Sequence, residues 1–515
     1  MLTFAPLAAL SAEPQRLVAA GAIAFAYVCF SALVLLRHAA RRAAPSRQRA
    51  DQAGASVLVA YASQTGTAEA LAQSTSEALR QAGRAVSLQS FAQLDAAALA
   101  HVQTALFIVS TTGEGDPPDS AARFVRTAMR ETAQIPALRY AVLALGDRGF
   151  ARYCAFGDAV DAWLADGGAT RLFETIRVHS GDAAALALWW QRIGVFAGQS
   201  LASEPPATTQ LSPWSLCART PANPRNPENA AYYVSLRPTG PLPQWTAGDI
   251  AIVRPRNDPA DVAAFVSQLR LDGEMQRDGA ALAEHLARSV LPQTEDAIAA
   301  LSSLPPAQLV AQLQPLPTRE YSIASLPDDG CIELLVRQAR HPNGRLGLGS
   351  GWLTQHAPNG TAVELGVRTN AAFHPPRSEQ PMILIGNGTG IAGLRAHLKA
   401  RAAAGAMRNW LIFGERAAAD DFFYRDDIAK WRIARVLERV DFAFSRDQPQ
   451  RVYVQDCLRT RADDIRAWID AGAVIYVCGS LRGMSAAVTE ALTGTVGETT
   501  LADMIETGRY RRDVY

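Results

Sequence analysis

Short apolar runs that alternate with polar, glycine-bearing loops and helical stretches constrain the fold of this chain more than any other feature. The run Val57–Ala62 is followed by the loop Ser63–Glu69 and then by a helical stretch to about residue 82. The same pattern recurs, with strands expected at Val86–Gln89, Ala105–Ser110 and Arg139–Leu145. Apolar strands that alternate with helices form parallel, doubly wound sheets that are buried on both faces. Residues 56–200 are therefore predicted to form an α/β domain around a parallel sheet.

The rest of the chain must hold further domains. Its 515 residues are about three times the length of an average domain, so several cores are expected. The content of 49% hydrophobic and 19% charged residues is typical of globular proteins and excludes wholesale disorder. A formal charge of +1 lacks the basic excess that nucleic-acid binding requires. The six cysteines include no C-x-x-C pair, which argues against a disulfide scaffold, a zinc ribbon or an iron–sulfur cluster, so no metal site is predicted.

Residues 17–36 form an uncharged apolar stretch of 20 residues. As a helix it would reach about 30 Å, the thickness of the hydrocarbon core of a bilayer. Five arginines follow it, Arg37, Arg41, Arg42, Arg47 and Arg49, and such charges mark the cytoplasmic side. A cleaved signal peptide and a buried core helix are the alternatives, but the apolar region of a signal peptide is usually about 7 to 15 residues long. We therefore expect a single-pass transmembrane anchor at 17–36 in the inner (cytoplasmic) membrane, a basic tether at 37–55 and all later domains in the cytoplasm.

Three loops follow strands of the first predicted sheet at their carboxyl ends, where ligands of such sheets bind. Ser63–Ala68 offers hydroxyl groups and backbone amides at the start of a helix, which suits a phosphate monoester. Thr111–Pro118 is the second loop. The third, Leu145–Cys154, carries Phe150 and Tyr153, whose rings can stack on a flat ligand.

The second half of the chain follows a linker rich in proline, threonine and asparagine. Strand signals then alternate along the chain, and residues 259–315 are rich in alanine and leucine at helical spacing. This pattern predicts a β-barrel at 212–378 with a helical insertion at about 259–315. Within it, Arg319–Ser325 offers an arginine for a pyrophosphate and an aromatic ring for the face of a flavin. The glycine-rich turn at Arg345–Leu353 opens a helix and supplies a second anion site.

Residues 380–515 are predicted to form a second parallel α/β unit. In Met382–Ala392 an apolar strand leads into a glycine turn and a helix, and such glycines let the backbone approach a pyrophosphate. Three more segments accompany this turn: Phe413–Arg416, Phe444–Gln455 and Tyr476–Ser480. The two charges of Arg446 and Arg451, with several neighbouring donors, suit the 2′-phosphate of NADP rather than a bare ribose.

In this order, the motifs from Ser63 to Tyr515 resemble the diflavin reductases, of the NADPH–sulfite reductase flavoprotein or NADPH–hemoprotein reductase type. The resemblance implies a flavodoxin-like FMN domain at 56–200, a ferredoxin-reductase-like FAD barrel at 212–378 and a Rossmann-like NADP-binding domain at 380–515. It implies an oxidoreductase that passes electrons from NADPH to FAD, to FMN and then to a one-electron acceptor protein with haem or an iron–sulfur centre. A sulfite reductase hemoprotein, a haem-containing membrane partner and a ferric-reducing role all remain open as acceptors. A flavin-loaded redox sensor or a structural subunit of a membrane redox complex remains the alternative function.

The resemblance also implies which residues bind the three cofactors. For FMN they are Ser63, Gln64, Thr65, Gly66, Thr67, Ala68, Thr111, Thr112, Gly113, Glu114, Gly115, Gly146, Asp147, Phe150 and Tyr153. For FAD they are Arg319, Tyr321, Ser322, Ser325, Gly347, Gly349 and Ser350. For NADPH they are Gly388, Thr389, Gly390, Ser445, Arg446, Arg451, Tyr453 and Gln455. Catalytic roles fall to Ser322, Cys478 and Asp513 around the nicotinamide–flavin contact, and to Tyr515, which would cover the flavin face that the nicotinamide must occupy.

Overall fold

The computed structural model describes residues 57–64, 66–113, 115–130, 134–148, 152–179, 182–199, 209–277, 279–292, 294–302 and 304–515. Within these ranges, no helix has the length and apolar character needed to cross a bilayer. The expected anchor at 17–36 and tether at 37–55 lie outside the described residues.

The first domain is a parallel sheet with helices on both faces. Its strands are β1 (Val57–Ala62), β2 (Val86–Ser90), β3 (Thr104–Ser110), β4 (Arg139–Gly146), β5 (Thr170–Arg171) and β6 (Ile176–His179). Its helices are α1 (Thr67–Gln81), α2 (Ala96–Leu99), α3 (Ala122–Thr127), α4 (Ala155–Asp166) and α5 (Ala183–Ala197), with a 3-10 turn at Asp119–Ala121. The strands lie in the order β2-β1-β3-β4-β5, with β6 also paired to β4, and every pair is parallel. An apolar cluster on each face buries the central strands, which explains why β3 is apolar without alternation.

The second domain is built on an antiparallel sheet. Its strands are β7 (Ser212–Pro221), β8 (Ala231–Pro238), β9 (Ile250–Arg254), β10 (Gln276–Arg277), β11 (Ala280–Ala281), β12 (Arg319–Ser322), β13 (Ile332–Arg337) and β14 (Ala362–Arg368). Its helices are α6 (Pro259–Gln268), α7 (Leu282–Ala287), α8 (Glu295–Ser302), α9 (Pro306–Gln312) and α10 (Leu348–Gly351), and a π-helical turn follows at Trp352–His356. Six strands pair in the order β12-β9-β14-β7-β8-β13 around one apolar core, whereas α6 to α9 surround a core of their own.

The third domain is again a parallel sheet. Its strands are β15 (Met382–Asn387), β16 (Asn409–Glu415), β17 (Leu437–Phe444), β18 (Val474–Gly479) and β19 (Tyr510–Val514). Its helices are α11 (Ile391–Ala403), α12 (Arg425–Ile433), α13 (Val454–Thr460), α14 (Ala462–Asp470), α15 (Ala486–Val496) and α16 (Glu498–Glu506), with a 3-10 turn at Gly388–Gly390. The spatial order is β17-β16-β15-β18-β19, so β19 forms one edge.

The first domain packs against the third. Arg512 of β19 makes a two-armed ion pair with Asp119, in which Nε lies 3.1 Å from Oδ2. Arg126 of α3 pairs with Glu506 at the end of α16. The loops at the carboxyl end of the first sheet are therefore held close to the last strand of the chain.

Candidate functional site

The loop between β1 and α1 is held open by its own hydrogen bonds and by the neighbouring turn. Ser63 Oγ accepts a hydrogen bond from Gly66 N at 2.9 Å, and Gly66 has a φ of 91°, a conformation that side chains other than glycine rarely adopt. Gln64 Nε2 donates to Asp119 Oδ2 at 3.0 Å, and Asp119 N donates back to Gln64 Oε1 at 2.8 Å. Because no side chain among the described residues caps α1, its first amides, from Thr67 onward, stay available for an anion.

The two other loops of the first sheet lie beside this one. Thr112 donates to Asp116 O from both its backbone N, at 2.9 Å, and its Oγ1, at 3.0 Å, which closes a tight loop. The guanidinium of Arg148 lies 5.5 Å from the centre of the Tyr153 ring, and burial raises the pKa of Tyr153 to about 12. The expected FMN ligands Thr65, Glu114 and Phe150 lie outside the described residues. The described hydroxyl and amide donors, the start of α1 and the ring of Tyr153 fit FMN, which has a phosphate group and a flat ring system.

In the second domain, the end of β12 contacts the glycine-rich turn. A Cβ atom on Gly349 would lie 2.6 Å from the hydroxyl of Tyr321 and 2.7 Å from Cγ of Arg319, so the turn and the strand touch directly. Ser350 Oγ accepts from Ala339 N at 3.0 Å and donates to Gly347 O at 3.2 Å. This arrangement of arginine, aromatic ring and glycine turn fits the pyrophosphate and ring of FAD.

Ser325 differs from the other expected FAD ligands. It is fully buried, donates to Cys331 O at 2.9 Å and accepts from Glu333 N at 2.9 Å. Its hydroxyl is thus committed to backbone groups of the barrel.

Three chemically active side chains meet where the second and third domains touch. Ser322 of β12 donates to Asp513 Oδ2 at 2.8 Å, and Cys478 Sγ lies 3.8 Å from the same oxygen. Cys478 and Asp513 are register partners on β18 and β19, so the parallel pairing itself brings them together. Burial raises the pKa of Asp513, which the hydrogen bond from Ser322 opposes, and burial beside Asp513 raises the pKa of the Cys478 thiol. The thiol therefore stays protonated and is a hydrogen-bond donor rather than a nucleophile.

Tyr515 lies over the glycine turn of the third domain. Its hydroxyl is 3.3 Å from Thr389 Oγ1, and its backbone N donates to Gly479 O at 3.0 Å. The side chain is 56% exposed, so it can move without breaking a core contact. Gly390 beneath it accepts no side chain, because a Cβ atom would lie 2.1 Å from Cys478 O.

A cavity of about 640 Å³, the nicotinamide cavity, opens at the carboxyl edge of the third sheet and is lined by most of the residues expected to bind NADPH. Gly388, Thr389, Ser445, Arg446, Arg451, Tyr453, Gln455 and Tyr515 all line it. Among the described residues, the side chains of Arg446, Arg451 and Arg416 have no carboxylate partner, which fits a phosphate-bearing ligand.

Sequence reasoning gave no binding role to three charged residues of this cavity: Arg337, Glu415 and Arg416. It named the segment Phe413–Arg416, and the position of Glu415 and Arg416 at the carboxyl end of β16 was a usable signal for a role. Arg337 comes from β13 of the second domain, so its presence depends on how the domains pack. Asn387 Oδ1 accepts a hydrogen bond from Ser480 N at 3.0 Å and so joins two loops of the cavity.

Comparison with known proteins matches two segments of the chain to families. Residues 59–189 match the flavodoxin family, and residues 384–490 match the oxidoreductase NAD-binding domain family. The sulfite reductase [NADPH] flavoprotein alpha-component of Neisseria meningitidis serogroup C is 31% identical over 540 aligned positions, covering 89% of this chain and 89% of that protein. The alpha-component of Bacillus subtilis is 28% identical with the same coverage, and that of Vibrio cholerae is 29% identical over 91% of this chain and 89% of its own length.

These relatives overturn one expectation from the sequence. They are flavoprotein components of sulfite reductase that align with most of this chain, so the expected single-pass location in the inner membrane is wrong. Hydropathy marks an apolar stretch as a candidate span but does not by itself establish where a protein resides.

Proposed function

Because this chain belongs to the diflavin reductase family that includes the flavoprotein alpha-components of NADPH sulfite reductase, we propose that it passes electrons from NADPH through FAD and FMN to a haem protein. The chain is an NADPH-dependent oxidoreductase, and its cofactors are FMN, FAD and NADPH. When bound, FAD accepts a hydride and FMN releases single electrons, so the pair converts two-electron into one-electron transfer.

The observation that carries the proposal is the cluster of Ser322, Cys478 and Asp513. Three strands from two domains converge on one carboxylate oxygen, Asp513 Oδ2, two residues before Tyr515, which lines the nicotinamide cavity. A carboxylate there stabilises the positive charge that develops on a nicotinamide as it gives up a hydride. Ser322 holds this carboxylate in place by its 2.8 Å hydrogen bond.

The cavity supports NADPH rather than NADH as the donor. Ser445, Arg446, Arg451 and Tyr453 line one end of it, and the two guanidinium groups carry charge that matches a 2′-phosphate. The glycine turn Gly388–Gly390 lines the same cavity, where the amides at the start of α11 can receive a pyrophosphate.

The packing of the domains supports transfer between the flavins. Asp119 hydrogen-bonds to Gln64 in the first loop of the FMN domain and pairs with Arg512, the neighbour of Asp513. One chain of contacts therefore links the expected FMN loop to the strand that carries the hydride-transfer cluster. The acceptor that fits best is a haem protein of the sulfite reductase hemoprotein type, because the relatives that align over most of the chain are subunits of that enzyme.

The test is rapid-mixing reduction of the flavins by NADPH, in the purified protein and in the Asp513→Asn variant. We expect Asp513→Asn to slow flavin reduction by at least about tenfold with little change in NADP⁺ affinity, since its charge acts on the transition state. Asp503→Asn, on α16, is the matched control and should leave the rate unchanged. An unaltered rate in Asp513→Asn, or a failure of the wild-type protein to reduce any haem acceptor, would contradict the proposal.

A further inference from the structure

An ion pair lies inside the nicotinamide cavity. Glu415, the last residue of β16, pairs with Arg337, the last residue of β13, and both line the cavity. The Glu415 side chain is only 5% exposed. Arg337 Nη1 also donates to Asn229 O at 3.0 Å, and its guanidinium lies 5.6 Å from the centre of the Phe423 ring. The arginine is thus held on three sides with one face toward the cavity.

Both members of the pair border the glycine turn. A Cβ atom on Gly388 would lie 3.6 Å from Arg337 Nη2 and 3.7 Å from Glu415 Oε1. The turn Gly388–Gly390 precedes α11, and the start of a helix after a glycine turn attracts anions. A carboxylate and a guanidinium therefore stand at the place where the coenzyme pyrophosphate should bind.

The carboxylate at this place opposes an anionic ligand. Two anions in a poorly solvated site repel each other strongly unless a cation lies between them. Among the described arginines of the cavity, Arg416, Arg446 and Arg451 have no carboxylate partner, whereas Arg337 has one. Burial raises the pKa of Glu415 and Asp421 adds to this effect, whereas Arg337 and the backbone N–H of Arg416, which donates to Oε2 at 2.6 Å, oppose it.

We propose that Glu415 determines coenzyme affinity by competing with the pyrophosphate of NADPH for Arg337. Without coenzyme, Glu415 forms an ion pair with Arg337. When NADPH binds, the guanidinium of Arg337 contacts the pyrophosphate instead. The carboxylate of Glu415 then favours release of NADP⁺, because its ion pair with Arg337 re-forms. This inference rests on the proposed function, since it assumes that NADPH occupies the cavity.

The test is calorimetric titration of the full, flavin-loaded chain with NADP⁺ and with 2′-AMP, which has the 2′-phosphate but no pyrophosphate. Glu415→Gln should bind NADP⁺ several-fold more tightly, because the competitor for Arg337 is gone. The double variant Arg337→Ala/Glu415→Gln should bind NADP⁺ about tenfold or more weakly than Glu415→Gln, the usual effect of one charge-assisted hydrogen bond. Neither variant should change the affinity for 2′-AMP more than about twofold.

The matched control is Glu438→Gln, which removes a half-exposed carboxylate that pairs with Arg408 on the solvent side of β17. It should leave both affinities unchanged. An unchanged or weaker NADP⁺ affinity in Glu415→Gln would overturn the inference and make the pair a structural link between domains. An equal gain in 2′-AMP affinity would also overturn it, because the effect would then be one of general charge. If the wild-type protein bound neither ligand, the proposed function itself would fail.

Discussion

Reversal of one charge at the contact between the first and third domains should loosen the docking of the FMN domain on the NADP-binding domain. In the pair Arg126–Glu506 the side chains are 32% and 27% exposed, so the pair is neither buried nor fully solvated. A pair of this kind contributes about 1 kcal/mol, the upper end for exposed pairs. Arg126→Glu removes that attraction and adds repulsion of similar size, for a total of about 2 kcal/mol in the free energy of domain docking. Because 1.4 kcal/mol is a factor of ten, the equilibrium constant for docking should fall by about 30-fold.

Two measurements test this shift. In Arg126→Glu, small-angle scattering should show a larger radius of gyration, and electron transfer between the flavins should slow after NADPH reduces the first one. Reduction of the first flavin itself should stay normal, because Arg126 is remote from the nicotinamide cavity. The exchanged variant Arg126→Glu/Glu506→Arg should restore both values. If Arg126→Glu changes neither value, or if the exchange restores neither, the contact does not hold the domains together.

Three further predictions concern the cofactor sites. Gly66→Ala should lose FMN but keep FAD, because the φ of 91° strains any other residue. Chromatography of the released flavins would show this loss, and loss of both flavins would refute a separate FMN loop. Arg446→Ala should raise the KM for NADPH by about tenfold or more and leave the KM for NADH unchanged, since only NADPH has the 2′-phosphate. An equal effect on both coenzymes would count against the assignment of Arg446 to the 2′-phosphate. Tyr515→Ala should bind NADP⁺ more tightly and discriminate less against NADH, because the ring that competes with the nicotinamide is gone. Unchanged selectivity in rapid-mixing assays would mean that Tyr515 does not cover the flavin face.

Elements defined by local sequence could be predicted closely. The strand expected at Ala105–Ser110 is Thr104–Ser110, because a fully buried parallel strand leaves a continuous apolar run. The strand expected at Val86–Gln89 is Val86–Ser90, an edge strand in which apolar and polar residues alternate. The glycine turn before α11 was predictable for the same reason, since strand, turn and helix are contiguous. Ser445, Arg446 and Arg451 could be grouped because they lie within one loop of the third domain.

Contacts between domains could not be predicted from local sequence. Arg337 and Glu415 are 78 positions apart, and Arg512 and Asp119 are 393 positions apart. Each pair exists only because one domain packs on another, and no periodicity or motif encodes that packing. Within the third domain, the role of Asn387 was hidden because its partner Ser480 follows a different strand.

The edge strand β19 also limits how this protein can evolve. Successive residues of a strand point to opposite sides, so Arg512 serves the first domain while Asp513 serves the barrel. A substitution at position 512 removes the ion pair with Asp119, and one at position 513 removes the acceptor of the hydrogen bond from Ser322. Positions 512 and 513 should therefore covary with positions 119 and 322 rather than with each other. Sequence drift in this strand should be slow, and where it occurs, it should be paired across domains.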